Sequence, residues 1–244
     1  MNNESPQSIA PTRQPQPGAD RINPQDGAQM VYVPAGEFTM GAGKFFTDAP
    51  EHIVNLSGYW IYKTPVTVTQ YRAFCQATSR AMPTAPNWGW RDHHPMVNVT
   101  WADATEYAQW AGVSLPTEAQ WEKAARGTDG RTYPWGNVWD ASRCANRVSS
   151  TQPVGSYPQG ASPYGALDMA GNVWQWCADW YDKNYYKTAP SNDPTGPSSG
   201  TVRVLRGGCY RFADPDFFRA ALRNWDDPSS WGDARGFRCF LRLD

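Results

Sequence analysis

No C-x-x-C pair occurs among the five cysteines, Cys75, Cys144, Cys177, Cys209 and Cys239, which are scattered along 244 residues. That spacing argues against a zinc site and against a dense disulfide scaffold, and reduced thiols in a cytoplasmic protein are its simplest account. Histidine is scarce: His52, His93 and His94 are the whole supply. Adjacent His93 and His94 ahead of Pro95 would point apart in extended chain, so they are not expected to share an iron. No apolar run reaches the roughly 18 residues that a membrane-spanning helix needs. The start, Met1 to Ser5, has no positive charge and leads into no apolar stretch. A secretory signal is therefore not expected, and the sequons at Asn55 and Asn98 read as chance matches. No block of lysine and arginine stands out, and 22 of them against 23 Asp and Glu leave a net charge of -1. Nucleic acid is accordingly not an expected partner.

Aromatic residues are plentiful: 13 Trp, 12 Tyr and 9 Phe. Large rings suit a fold with little regular structure, since each covers much area with few torsions. Hydrophobic residues at 40% and charged residues at 18% mark a globular chain long enough for one large domain. Residues 1–28 are rich in Pro, Gln and Asn and nearly without large apolar side chains, so they read as a disordered tail or linker, a tether to an upstream partner or domain. The domain proper is expected over 29–244. Val31 and Val33, then Phe38 and Met40, alternate around Pro34-Ala35-Gly36 as two short strands joined by a turn.

Three helices announce themselves by capping boxes: Thr67 with Gln70, Thr100 with Asp103, and Thr117 with Gln120. Their apolar stripes (Val68, Tyr71, Phe74 and Cys75; Trp101, Ala104, Ala108 and Ala111; Trp121, Ala124 and Ala125) predict compact amphipathic packing helices, the last two stopped at Gly112 and Gly127. Residues 133–165 and 187–200 read as long loops. Three strand-like pieces close the chain: Val202 to Leu205 before Gly207-Gly208, Phe218 to Leu222 alternating with Arg219 and Arg223, and Phe237 to Leu243 alternating with Arg238 and Arg242. The reading is α+β, with short antiparallel strands, two or three helices and long ordered loops.

Seven segments in order resemble the formylglycine-generating-enzyme (sulfatase-modifying factor) family. They are Met30-Val-Tyr-Val-Pro-Ala-Gly-Glu-Phe-Thr-Met-Gly41, His94-Pro-Met-Val-Asn-Val-Thr-Trp101, Leu115-Pro-Thr-Glu-Ala-Gln-Trp-Glu122, Tyr133-Pro-Trp-Gly-Asn137, Gly165-Ala-Leu-Asp-Met-Ala-Gly-Asn-Val-Trp-Gln-Trp176, Arg206-Gly-Gly208 and Gly236-Phe-Arg-Cys239. The resemblance implies a variant of the C-type lectin fold. The family enzyme oxidises a substrate cysteine with copper held by two of its own cysteines. Carried onto this chain, those positions fall at Phe212 and Phe217, which cannot ligate a metal; no copper is expected, and whether the chain is an enzyme stays open, with the lost cysteine pair weighing against it. Cys209 takes the place of a family serine. The family's disulfide partners fall at Ala108 and Ala125. A family calcium site maps to Asp168, the carbonyls of Gly171 and Val173, and Gln175, so a structural Ca2+ is an expectation of the resemblance.

Within 203–240 the family framework, Arg203 to Gly208, Arg219-Ala220, Arg223-Asn224, Pro228 and Gly236 to Arg238, is intact. Between its anchors stand Tyr210, Arg211, Phe212, Asp214, Asp216 and Phe217, then Trp225, Asp226, Asp227, Ser229, Ser230, Trp231 and Asp233. Rigid rings among small polar and acidic groups resemble a recognition surface. The pattern also resembles the variable region of diversity-generating-retroelement target proteins, which would make this a display protein for an unidentified protein or small-molecule ligand, with Tyr210, Phe212, Trp225 and Trp231 as exposed anchors. The alternative is a non-copper oxidoreductase or protein-maturation factor of the same family.

Overall fold

Thr67, Thr100 and Thr117 each stand in extended backbone and turn the chain into a helix by the same device. In the computed structural model, which describes residues 14–43 and 49–243, each threonine hydroxyl accepts from the N–H three residues on, and that residue's side chain accepts from the threonine N–H. Two donors without an intrahelical partner are thereby satisfied at each start. The helices are α1 (Val68–Ala77), α2 (Trp101–Trp110) and α3 (Glu118–Arg126). α1 buries the expected Val68, Tyr71, Phe74 and Cys75. α2 buries Ala104, Tyr107 and Ala108, and its rings stack with those of α1, Tyr71 on Tyr107 at 5.7 Å. Gly127, at φ +69°, stops α3.

α3 is not the amphipathic helix its spacing predicts. Eight of its nine residues are buried, Glu118, Glu122, Lys123 and Arg126 among them. Glu118, Glu122 and Arg126 are tolerated because they are paired, and Lys123 because it donates to the Pro34 and Gly36 carbonyls. Glu118 accepts from Arg223 through both oxygens, at 2.7 and 2.8 Å, and Glu122 accepts from Arg126 at 2.9 Å and from Arg206. Burial alone would raise the Glu118 carboxyl, but the Arg223 and Arg206 guanidiniums overcome it and hold it below the usual carboxylate range.

Among the described residues, ten short strands make three sheets. The first has the order β1 (Asp20–Ile22), β2 (Gln29–Val33), β5 (Tyr59–Tyr62), β10 (Phe240–Arg242); the second pairs β3 (Gly36–Met40) with β4 (His52–Leu56). The third runs β8 (Asn224–Asp226), β7 (Arg203–Arg206), β6 (Trp174–Trp180), β9 (Arg235–Phe237). All pairings are antiparallel except β6 with β9. β2 and β3 are the two strands expected around Pro34, yet they lie in different sheets. Gly36, at φ +124°, swings the chain from one to the other.

Three expectations need correction. The domain begins before residue 29: β1 pairs with β2 from Asp20 opposite Val31, buried Asn23 donates to Tyr62 Oη at 2.7 Å, and Asp26 accepts from Tyr62 and Tyr107. Apolar content misjudged this stretch because polar side chains anchor it; residues 1–13 of the expected tail lie outside the described residues. Residues 218–222 are not a strand. A 3-10 turn at Pro215–Phe218 leads into buried Arg219 and Arg223, and the strand comes later, as β8. The run 237–243 is broken between β9 and β10 because Arg238 points inward, where it donates to Gln175 Oε1 at 2.6 Å and to the carbonyls of Tyr62, Lys63, Leu167 and Asp168.

Candidate functional site

β7 is followed by Gly207 and Gly208, at φ +98° and +74°. A Cβ on Gly208 would sit 2.5 Å from the Phe217 carbonyl oxygen, so only glycine lets the chain leave the sheet this close to the loop it is about to form. That loop, residues 209–217, is held by Arg147 N–H donating to the Phe212 carbonyl at 2.8 Å and Val148 N–H to the Tyr210 carbonyl at 3.0 Å. Arg206 donates to the carbonyls of Ala220, Ala221 and Leu222 at 2.8, 3.2 and 2.8 Å, pinning the return to β8.

Between this loop, β8 and the start of β9 lies a cleft of about 280 Å³, lined by Trp174, Leu205, Cys209, Arg211, Phe212, Asn224, Asp226, Gly232, Asp233, Ala234 and Arg235. Two ion pairs cross its mouth, Arg211 with Asp233 and Arg235 with Asp226. Arg235 also donates to the Trp231 carbonyl at 3.1 Å. Cys209 is buried in its wall, and burial pushes the thiol up, so it is not a ready nucleophile.

The thirteen residues expected to form one surface divide. Arg211, Phe212, Asp226 and Asp233 line the cleft. Tyr210 does not belong to it: only 2% exposed, it packs edge-on against Trp88 at 5.8 Å and accepts from Arg211 Nε, so it is a wall of the frame and not an exposed anchor. Trp225, 43% exposed, points to the opposite face of β8. There it stacks on Tyr181 at 4.4 Å and borders a second cleft of about 720 Å³ with Lys183 and Lys187. Strand alternation is the reason: Asn224 and Asp226 face one way and Trp225 the other. Asp214 caps the 3-10 turn by accepting from Asp216 N–H, and Asp216 pairs with Arg219 at 3.4 Å. Asp227 accepts from Ser229 N–H and hydroxyl at 2.8 and 2.6 Å, and Ser230 N–H bonds the Asp227 carbonyl, so these three build a turn. Phe217 and Trp231 are exposed, at 37% and 58%. Trp174, Asn224 and Arg235 escaped sequence reasoning as cleft residues; the alternation of 224–226 could have found Asn224, whereas Trp174 and Arg235 come from the parallel β6–β9 pairing, which leaves no local pattern.

The donor set mapped for calcium does not fit that ion. Asp168 Oδ2 accepts from Gly155 N–H at 2.7 Å, and Gln175 Oε1 is held by Trp121 Nε1 at 2.8 Å and Arg238 Nε at 2.6 Å. The mapped set, one carboxylate beside a buried guanidinium, the carbonyls of Gly171 and Val173 and an amide oxygen already held twice, falls short of the six to eight oxygens calcium takes. His94 bonds Thr151 Oγ1 at 2.9 Å while His93 is exposed, so the two do not converge. Among the described residues no group of three or more His, Cys, Asp or Glu could hold a metal ion, and no helix is long and apolar enough to cross a membrane.

Residues 16–243 match the family described as the sulfatase-modifying factor enzyme 1-like domain. The chain is 36% identical to the formylglycine-generating enzyme of Streptomyces coelicolor, over 95% of this chain and 94% of that one. The chain belongs to this family. Among solved structures, PvdO from Pseudomonas aeruginosa superposes with a TM-score of 0.83 at 28% identity, covering 94% of this chain and all of that one. Treponema denticola variable protein 1 superposes with a TM-score of 0.76 at 21% identity, over 92% and 99%, a likeness of fold. At the two positions onto which the resemblance carries the family's copper-binding cysteines, Phe212 and Phe217 lie ring on ring, with centroids 3.9 Å apart and planes 6° from parallel. The two positions are neighbours, and they offer carbon where the metal needs thiolate sulfur; copper does not fit.

Proposed function

We propose that this protein is a ligand-binding display protein of the sulfatase-modifying family, the diversified target of a diversity-generating retroelement. Its ligand contacts come from side chains of 209–217 and 225–234. The observation that carries the reading is the Phe212–Phe217 stack standing where sulfur ligands are required, next to a cleft walled by C-terminal side chains. The rigid frame supports it. Gly207-Gly208, the Arg206 tether to 220–222 and the Glu118–Arg223 pair hold the loops from behind, so exposed Phe217, Trp225 and Trp231 are not what holds the chain. The test is to sequence the gene across natural isolates together with its neighbourhood. Substitutions should concentrate in the codons for Arg211, Phe212, Trp225, Asp226, Trp231 and Asp233, at adenines of a nearby template repeat beside a reverse-transcriptase gene. An even spread of substitutions, with no such repeat, overturns the proposal.

The second reading, a non-copper oxidoreductase or maturation factor, draws on the 36% identity to a formylglycine-generating enzyme along nearly its whole length. It predicts turnover of a thiol or phenol substrate by the purified protein.

A further inference from the structure

The cleft carries two positive and two negative side chains and no excess of either. Arg211 and Asp233 face one another across it, as do Arg235 and Asp226. Each pair leaves part of its hydrogen-bonding capacity unspent. Arg211 uses Nη2 on Asp233 and Nε on Tyr210 Oη. Asp233 receives that bond on Oδ1. Among the described residues, Arg211 Nη1 and Asp233 Oδ2 have no protein partner. A planar guanidinium with an open edge takes a carboxylate in forked geometry, and an open carboxylate oxygen takes an ammonium. Asn224 adds one amide to the wall, and apolar side chains make much of the rest: Phe212 meets Trp174 edge-on at 6.0 Å, with Leu205 beside them.

We infer that the cleft takes a small zwitterion, a free amino acid or dipeptide with an apolar or aromatic side chain. Its carboxylate lies on Arg211, its ammonium on Asp233 and its side chain against Phe212 and Trp174. A purely anionic or purely cationic ligand meets one attractive and one repulsive member of each pair, whereas a zwitterion meets two attractive ones. About 280 Å³ is at the small end of ligand pockets and suits a molecule of this size, not a folded protein. The inference rests on the binding role proposed above and names the class of ligand for that same cleft.

Isothermal titration of the full chain with L-phenylalanine, 3-phenylpropionate and 2-phenylethylamine tests it. L-Phenylalanine should bind with 1:1 stoichiometry, and each single-charge analogue should bind about tenfold or more weakly, the loss expected for one charge-assisted contact. Asp233→Asn should remove the advantage of L-phenylalanine over phenylpropionate, and Arg211→Gln its advantage over phenylethylamine. The comparison of the three ligands on the unsubstituted protein stands even if a variant fails to fold. Equal binding of either analogue, or no binding of L-phenylalanine at about 10 mM, overturns the inference. Absent binding with codon changes clustered at the cleft sinks this inference alone; zwitterion binding with evenly spread codon changes sinks the display reading alone.

Discussion

Glu118→Gln removes one charge from the heart of the fold while keeping the shape of the side chain. Both carboxylate oxygens of Glu118 face Arg223, at 2.7 and 2.8 Å, and one lies 3.4 Å from Arg206. All three side chains are at most 2% exposed, so water cannot replace what is lost. Breaking one partner of a buried pair costs about 3–5 kcal/mol. A neighbour moderates the loss. Asp179, which accepts from the Glu118 N–H at 2.8 Å, has its carboxyl pushed up to about 7 by burial and then by the negative charge of Glu118. Without that charge Asp179 ionises more readily and partly neutralises Arg223, so the low end, about 3 kcal/mol, is expected. In a domain of this size that lowers the Tm by about 6–12 °C.

The pH profile sharpens the test. In the native protein Asp179 keeps a proton between about pH 4 and 7 that the unfolded chain has released, so stability falls as pH rises through this window, by on the order of 1 kcal/mol per pH unit. Glu118→Gln should flatten that slope. Urea unfolding followed by tryptophan fluorescence at pH 5, 6 and 7 measures both quantities. A loss below about 1 kcal/mol, or an unchanged slope, would refute the electrostatic account of α3.

Lys123, buried and donating to the Pro34 and Gly36 carbonyls, has its ammonium pushed down to about 8 by burial, so the folded state gives up its proton before the unfolded state does. Stability should therefore rise with pH between about 8 and 10, and Lys123→Met should lack that rise in urea titrations. The double substitution Phe212→Cys and Phe217→Cys should create a Cu(I) site of 1:1 stoichiometry, read by competition with a chromogenic chelator, because the two rings are 3.9 Å apart; the unsubstituted protein should bind none. Millimolar Ca2+ or a chelator should move the Tm by less than about 1 °C, since Asp168 Oδ2 already accepts from Gly155 and Gln175 Oε1 from Trp121 and Arg238. Trp225→Ala should cost about 1 kcal/mol or less in urea, the worth of an exposed ring stacked on Tyr181.

What was legible in the sequence followed from local rules. The three capping threonines stand where the helices begin, because a capping box is a contact between residues three apart. The inward face of α1 could be named residue by residue for the same reason. Arginines misled: Arg219, Arg223 and Arg238 alternate with apolar residues, which reads as a strand with a wet face, but all three are buried. Their partners, Glu118 and Gln175 among them, lie 63 to 105 residues away for Arg238 and Arg223, and no local pattern announces such pairs. The facing of Trp225 likewise depends on a distant partner. Which face of β8 meets the cleft depends on its pairing with β7, a register that the three residues of the strand do not encode.

The division of labour in the C-terminal segment then has a physical basis. Behind the cleft, each buried arginine is committed to carboxylates or backbone carbonyls, and losing one such contact costs several kcal/mol. On the surface, Phe217, Trp225 and Trp231 are exposed and Asp227 serves only its own turn; exchanges at such positions are usually within about 0.5 kcal/mol. A fold with net stability on the order of 10 kcal/mol can accept many of the second kind and hardly any of the first. Stability data on ten single substitutions, five at 206, 219, 223, 236 and 238 and five at 211, 217, 225, 227 and 231, should therefore fall into two groups with little overlap. Were the two groups to intermingle, the frame would not be independent of what it presents, and the display reading would lose its foundation.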